Sequence, residues 1–291
     1  MKIAYLGPER TNTERAAREL GSGISPECEY LPCVAIQGVA DAVRNGAADF
    51  AVMPCYNFLE GLVQQTLDLI YEHRLFICGL HRLPITHCLG AYPGSSGNDE
   101  VYSISVALGQ CTEFLSSEYP LARQIPVSST AEGARVVAER KRGLAVAPRE
   151  ALEFFGLDLV AEDIGNRRHG RQNFTDFYLV SAKPHVQYDP ACGYSTMVAI
   201  TPHVDRSGLL AQILQHVAFF GINNAKIHSR PAIDFVDIDI DPQMFYLEMM
   251  THQTSPDFVK CVESLTYALT PKGEAAEVVR VLGSYPQPKI V

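Results

Sequence analysis

No apolar run in this sequence approaches the ~20 residues that a membrane-spanning helix needs, so no membrane partner is expected. Positive charge is scarce as well. The formal net charge is −9 at pH 7, whereas a general nucleic-acid binder would carry a basic footprint. Eight cysteines (Cys28, Cys33, Cys55, Cys78, Cys88, Cys111, Cys192 and Cys261) include no Cys-x-x-Cys pair. They read as reduced thiols of a cytosolic protein. His81, His87 and Cys88 lack a second pair of ligands at metal-site spacing, so no metal is expected; no cofactor is expected either. The first residues, Lys2-Ile3-Ala4-Tyr5-Leu6, read as a strand, and no secretory signal is expected there.

What is present is an ordinary globular composition, with 47% hydrophobic and 20% charged residues in a chain of 291. That length accommodates two or three structural units. Short β runs alternate with helical spacing over the first 180 residues, the rhythm of an α/β domain. Strands are predicted at Lys2–Leu6, at Phe50–Met53 with Pro54 as its stop, at residues 80–86 and at Leu144–Ala147. Helices are predicted at Thr13–Leu20, Ala35–Arg44, Gly61–Ile70, Ser103–Leu115 and Ala131–Glu139. The order suggests two lobes, residues 1–80 with 164–183 and residues 81–163. A proline-bearing linker at 184–193 precedes a β-α-β-β-α-β rhythm over 194–291. In that last part Asp205 or Ser207 would cap a helix that Gly221 stops. Asp237, Asp239, Asp241 and Glu248 fit a calcium-loop spacing, but Pro242 stands where such a loop needs glycine.

Several segments resemble the prephenate dehydratase family. Ile3 to Glu9 with Thr11 and Glu14 resembles its opening strand and glycine turn. Met53-Pro54-Cys55-Tyr56-Asn57, with Glu60-Gly61 and Thr66-Leu67-Asp68, resembles its Pro-Ile-Glu-Asn loop and following helix. Ala107-Leu108-Gly109-Gln110-Cys111 resembles its second segment, and Asn173-Phe174-Thr175-Asp176-Phe177 its Asn-x-Thr-Arg-Phe segment. Gly208-Leu209-Leu210 and His228-Ser229-Arg230-Pro231 are similar to the two motifs of the ACT module in the same enzymes. The resemblance implies a two-lobed catalytic domain like periplasmic binding proteins over 1–183. A ferredoxin-like ACT domain would follow over 194–291, for regulation or dimerisation, in a homodimer or larger homo-oligomer. An amino-acid effector would meet Gly208, Leu209, Leu210, His228, Ser229, Arg230 and Pro231.

By the same resemblance Thr175 would donate or relay a proton to a leaving hydroxyl, with Asn57, Ser103, Asn173, Phe177 and Thr11 around the substrate prephenate. The chain departs from the family at Tyr56, Phe58, Ile104, Ser105 and Val106, and at Arg10 and Asn12 of the opening turn. Asp176 stands where the family has Arg, and an anion there would repel a substrate carboxylate. Arg10 or the run Arg167, Arg168 and Arg171 would be the replacement cation. Tyr56, Phe58 and Val106 would make the pocket more apolar, which resembles the non-aromatising prephenate decarboxylases. Decarboxylation with Thr175, Asp176, Tyr56 or Cys55 as proton donor is therefore the first expectation. Dehydration to phenylpyruvate is the alternative, and a ligand-binding regulator without turnover is the third.

Overall fold

The structure is a computed structural model that describes residues 1–95, 97–166, 172–185, 188–202, 206–232, 243–270 and 277–287. It divides into two compact units, Met1–Leu67 with His81–Leu179, and Asp68–Leu80 with Val180–Val291.

Strand β1 (Lys2–Leu6) buries Ile3, Ala4 and Tyr5 and turns at Gly7 into helix α1 (Asn12–Ile24). Thr11 caps that helix by accepting the Glu14 N–H. Strand β2 (Glu29–Cys33), helix α2 (Ile36–Arg44) and strand β3 (Phe50–Asn57) follow, with β1 parallel to both neighbours. Pro54, expected to stop β3, does not. The ladder with β1 ends at Val52, so the missing N–H of Pro54 costs no bond there, and the strand continues to Asn57. The helix expected from Gly61 also starts later. Gly61–Leu62 folds back on β3 as strand β4, and helix α3 occupies Gln64–Glu72. Strand β5 (Phe76–Pro84) then leads out of the first sheet.

A second sheet is built from β6 (Cys88–Ala91), β7 (Glu100–Ser103), β8 (Arg123–Pro126), β9 (Leu144–Ala147) and β10 (Asp158–Ala161), in the order β10-β6-β9-β7-β8. Its helices are α4 (Ser105–Gln110), α5 (Thr112–Glu118), α6 (Thr130–Arg140) and α7 (Arg149–Phe154). The single helix expected over Ser103–Leu115 is thus two, broken at Cys111, and Ser103 ends β7 instead. Strand β11 (Phe174–Ser181) returns to the first sheet, whose order is β2-β1-β3-β11-β5. The chain leaves β1 towards β2 on one side and β3 on the other. The carboxyl ends of β1 and β3 therefore flank a topological switch point, where open α/β sheets bind ligands.

The second unit contains β12 (Tyr194–Ile200), α8 (Leu209–Phe219), β13 (Asn224–Pro231), β14 (Gln243–Met249), α9 (Pro256–Leu269) and β15 (Val279–Pro286). This is the expected β-α-β-β-α-β rhythm, folded as an antiparallel sheet of order β13-β14-β12-β15. Ile213, Val217, Phe258 and Leu265 of its helices share one core with Val198 and Leu247 of the sheet. Gly208, at φ 83°, is the residue that opens α8, in place of the expected Ser207; Asp205 lies outside the described residues. Gly283, at φ 138°, admits no side chain, because a Cβ would lie 2.0 Å from the Ile77 carbonyl oxygen. Asp237, Asp239 and Asp241 lie outside the described residues, and Glu248 pairs with Lys226 at 3.0 Å. No described helix is long and apolar enough to cross a membrane, and among the described residues no three His, Cys, Asp or Glu are placed so that they could hold a metal ion.

Candidate active site

The end of β3 sets the first polar group. Asn57 Oδ1 accepts the N–H groups of Leu59 (3.0 Å) and Glu60 (3.1 Å), a local turn bond typical of asparagine. That fixes which end of the amide faces the neighbouring strand. Asn57 Nδ2 donates to Thr175 Oγ1 at 2.9 Å and to the Phe174 carbonyl at 3.3 Å. Phe58 N–H donates to the same carbonyl at 3.0 Å, pinning the loop to the start of β11. Thr175 Oγ1 is thereby an acceptor from Asn57, and its own proton is available to a third group.

Asp176 does not share this environment. Side chains alternate along β11, so Phe174 and Asp176 lie on the face opposite Thr175. Asp176 is 1% exposed and takes a bidentate pair of bonds from Arg82 on β5, at 2.8 and 2.9 Å. The Arg82 guanidinium lies 3.8 Å over the Phe174 ring, and its pKa is raised first by the bonds to Asp176. The anion expected to oppose a substrate carboxylate is therefore already matched by a cation. Tyr56 and Phe58 also meet Phe174, with ring centroids at 6.2 and 5.2 Å. The aromatic departures from the family pattern thus gather on the Arg82 side. Sequence reasoning did not single out Arg82; its one signal was a cation inside the apolar run of β5.

A second polar group surrounds Gln110 at the end of α4. Its Oε1 accepts from Asn173 Nδ2 at 3.1 Å and lies 2.8 Å from His87 Nε2. Its Nε2 donates to Glu60 Oε1 at 3.4 Å, next to the Asn57 turn. Because Gln110 Oε1 can only accept, His87 carries its proton on Nε2. Burial lowers the His87 pKa, with the Gln110 bond opposing it. Asn173 and Phe177 are both buried, at opposite ends of the motif.

The other expected substrate contacts are dispersed. Ser103 is fully buried and donates to the Val146 carbonyl at 2.6 Å, while Val106 is exposed on α4. Thr11 donates to the Pro8 carbonyl at 3.0 Å while capping α1, and Arg10 is exposed beside it. Arg167, Arg168 and Arg171 lie outside the described residues.

In the second unit Gly208 opens α8, Leu209 is buried and Leu210 is exposed. His228, Ser229, Arg230 and Pro231 end β13. Desolvation lowers the His228 pKa, assisted by Lys226. Arg230 grips Asp68 of α3 through two bonds, at 2.6 and 3.3 Å, and Tyr246 Oη reaches the same carboxylate at 3.5 Å.

Residues 3–185 match the family model described as prephenate dehydratase. A bifunctional chorismate mutase/prephenate dehydratase of Aquifex aeolicus (strain VF5) is 33% identical over 292 aligned residues, covering 99% of this chain and 74% of that protein. The solved structure of a prephenate dehydratase from Arthrobacter aurescens in complex with L-Phe is 30% identical, with a TM-score of 0.84 over 99% of this chain and 90% of that one. A further structure, described as GqqA, a novel type of quorum quenching acylase, is 25% identical with a TM-score of 0.80 over 98% of each chain.

Proposed function

Since this chain belongs to the prephenate dehydratase family, we propose that it converts prephenate to phenylpyruvate, carbon dioxide and water. The observation that carries this reading is the hydrogen bond from Asn57 to Thr175, which leaves the Thr175 proton free to be given away. In the reaction the bond from the ring to its carboxylate breaks, and its electron pair enters the ring. The ring's bond to the hydroxyl breaks in turn, and that oxygen leaves as water after taking a proton. Thr175 supplies or relays this proton and is reprotonated from solvent. Asp176 is no obstacle, because Arg82 compensates its charge on the other face of β11.

The first expectation, decarboxylation without loss of the hydroxyl, rested on an uncompensated Asp176 and an apolar lining from Tyr56, Phe58 and Val106. Tyr56 and Phe58 pack with Phe174, and Val106 is exposed, so these residues lend that reading little support. The names of the relatives favour dehydration as well. On the same reading residues 1–183 are the catalytic domain and 194–291 an ACT-like domain. L-phenylalanine is the proposed effector, by analogy with the Arthrobacter structure, meeting residues 208–210 and 228–231.

Incubation with prephenate, with products identified by mass and by the ultraviolet absorbance of phenylpyruvate, tests the reading. Phenylpyruvate formation that slows by about a hundredfold or more in Thr175→Val is expected. A product that keeps the ring hydroxyl, or no consumption at all, would overturn it.

A further inference from the structure

Prephenate carries two carboxylates, and the cation that the family places at position 176 is absent here. Of the arginines near the switch point, Arg82 is occupied by Asp176. On α1, Arg15 pairs with Glu19 at 3.0 Å and Arg18 with Glu14 at 2.7 Å. Arg10 differs from all three. Among the described residues its guanidinium makes no ion pair and rests 4.4 Å over the ring of Phe154, which ends α7. Arg10, Arg15 and Arg18 line an open cavity together with Glu14, Glu19 and Glu150; Glu14 and Glu19 are held by Arg18 and Arg15, which leaves the Arg10 guanidinium without an anion there.

The backbone at Arg10 adds an independent observation. Its φ is 67°, a left-handed conformation that glycine adopts freely and arginine does not. The family pattern has glycine at this place in the turn. A strained arginine where glycine would serve points to use of its side chain. Position agrees. β1 and β3 are parallel, so the turn bearing Arg10 and the loop bearing Asn57 leave the same edge of the sheet. Thr175 enters that edge on β11, two strand spacings from β1, roughly 10 Å. A substrate whose reacting ring lay at Thr175 would extend its side chain along this edge towards Arg10.

Resting on the prephenate reading above, we infer that Arg10 is the cation that binds the pyruvyl side-chain carboxylate of the substrate. It binds that group rather than the ring carboxylate, because a guanidinium clamped on the departing group would stabilise the ground state and slow its loss. The Phe154 ring holds the guanidinium at the cleft until the carboxylate displaces or joins it.

Arg10→Gly removes the charge and relieves the backbone, so misfolding is not the expected failure; Arg10→Lys keeps the charge without the fork. We expect Arg10→Gly to raise KM for prephenate by about tenfold to a hundredfold with kcat within about threefold, and Arg10→Lys to fall between. Phenylpyruvate retains the side-chain carboxylate, so its inhibition constant should rise by the same factor. An unchanged inhibition constant would overturn the assignment of the carboxylate, and an unchanged KM in Arg10→Gly would overturn the role altogether. A calorimetric arm uses Thr175→Val as an inert background and compares prephenate binding with and without Arg10→Gly. If the wild-type chain makes no phenylpyruvate yet this arm shows the loss of affinity, the proposed reaction fails and Arg10 stands. Equal affinities in this arm sink Arg10 whatever the reaction.

Discussion

Substituting either partner of the Arg82–Asp176 pair should destabilise the first unit unequally. The two bonds, at 2.8 and 2.9 Å, place the charge centres about 4 Å apart, worth about 4 kcal/mol at the effective dielectric usual for such sites. The partners differ in exposure: the Asp176 side chain is 1% exposed and that of Arg82 is 33%. Arg82→Met leaves a carboxylate buried with no counter-charge, which costs about 3–5 kcal/mol. Asp176→Asn leaves a guanidinium that water can reach and that still lies on Phe174, so its cost is about 1–2 kcal/mol. The chain has no tryptophan, so urea unfolding is best followed by far-UV circular dichroism. Hydrogen exchange over β11 then assigns the affected transition to this unit. Both variants should keep the same product from prephenate, because Asp176 faces away from Thr175. A loss in Asp176→Asn equal to or larger than that in Arg82→Met would refute the asymmetry. A changed product would refute the separation of the two faces.

Thr175→Val should lower kcat by about a hundredfold to ten-thousandfold while Thr175→Ser retains most of it, since only the hydroxyl held by Asn57 is needed. His87 is held neutral by burial, so its folded pKa lies below the unfolded value of 6.5. The unfolded chain therefore binds the proton first as pH falls. Stability is fully present above about pH 6.5 and declines below it by at most about 1.4 kcal/mol per pH unit for this one group. His87→Gln should flatten that decline in denaturant midpoints measured between pH 7.5 and 5.5; an unaltered slope would count against it. Asp68→Ala removes the carboxylate shared by Arg230 and Tyr246 and should destabilise the second unit by about 2 kcal/mol, read as faster hydrogen exchange along β13. Protection equal to wild type would show that the pair contributes nothing.

Much of the fold was legible because periodicity is a local property. The apolar run Leu144–Ala147 and the β-α-β-β-α-β rhythm of the second unit both appear as predicted. The errors lie where a tertiary partner overrides a local signal. Pro54 reads as a stop, yet β3 runs past it because the β1 ladder has already ended. The run from Ser103 to Leu115 has helical spacing throughout, but Ser103 is claimed by β7 and buried against Val146. Gly61 favours a turn, and the pairing of β4 with β3 delays α3 to Gln64.

The candidate site was legible as composition and illegible as direction. Asn57 and Thr175 meet across 118 positions of sequence, and only the resemblance to a family placed them together. The motif Asn173–Phe177 looks like one continuous recognition surface, but in a strand it is two. Thr175 faces Asn57, whereas Phe174 and Asp176 face Arg82, Tyr56 and Phe58. A swap of charge at position 176 therefore alters the partner required on β5 before it alters anything at the reacting hydroxyl. The same reasoning explains why Arg82 escaped notice: its meaning comes entirely from Asp176, which is 94 residues away. On the proposed reading a substrate carboxylate needs a cation that no carboxylate already holds, and of the described arginines Arg10, Arg15, Arg18 and Arg82 only Arg10 has a guanidinium without an ion pair.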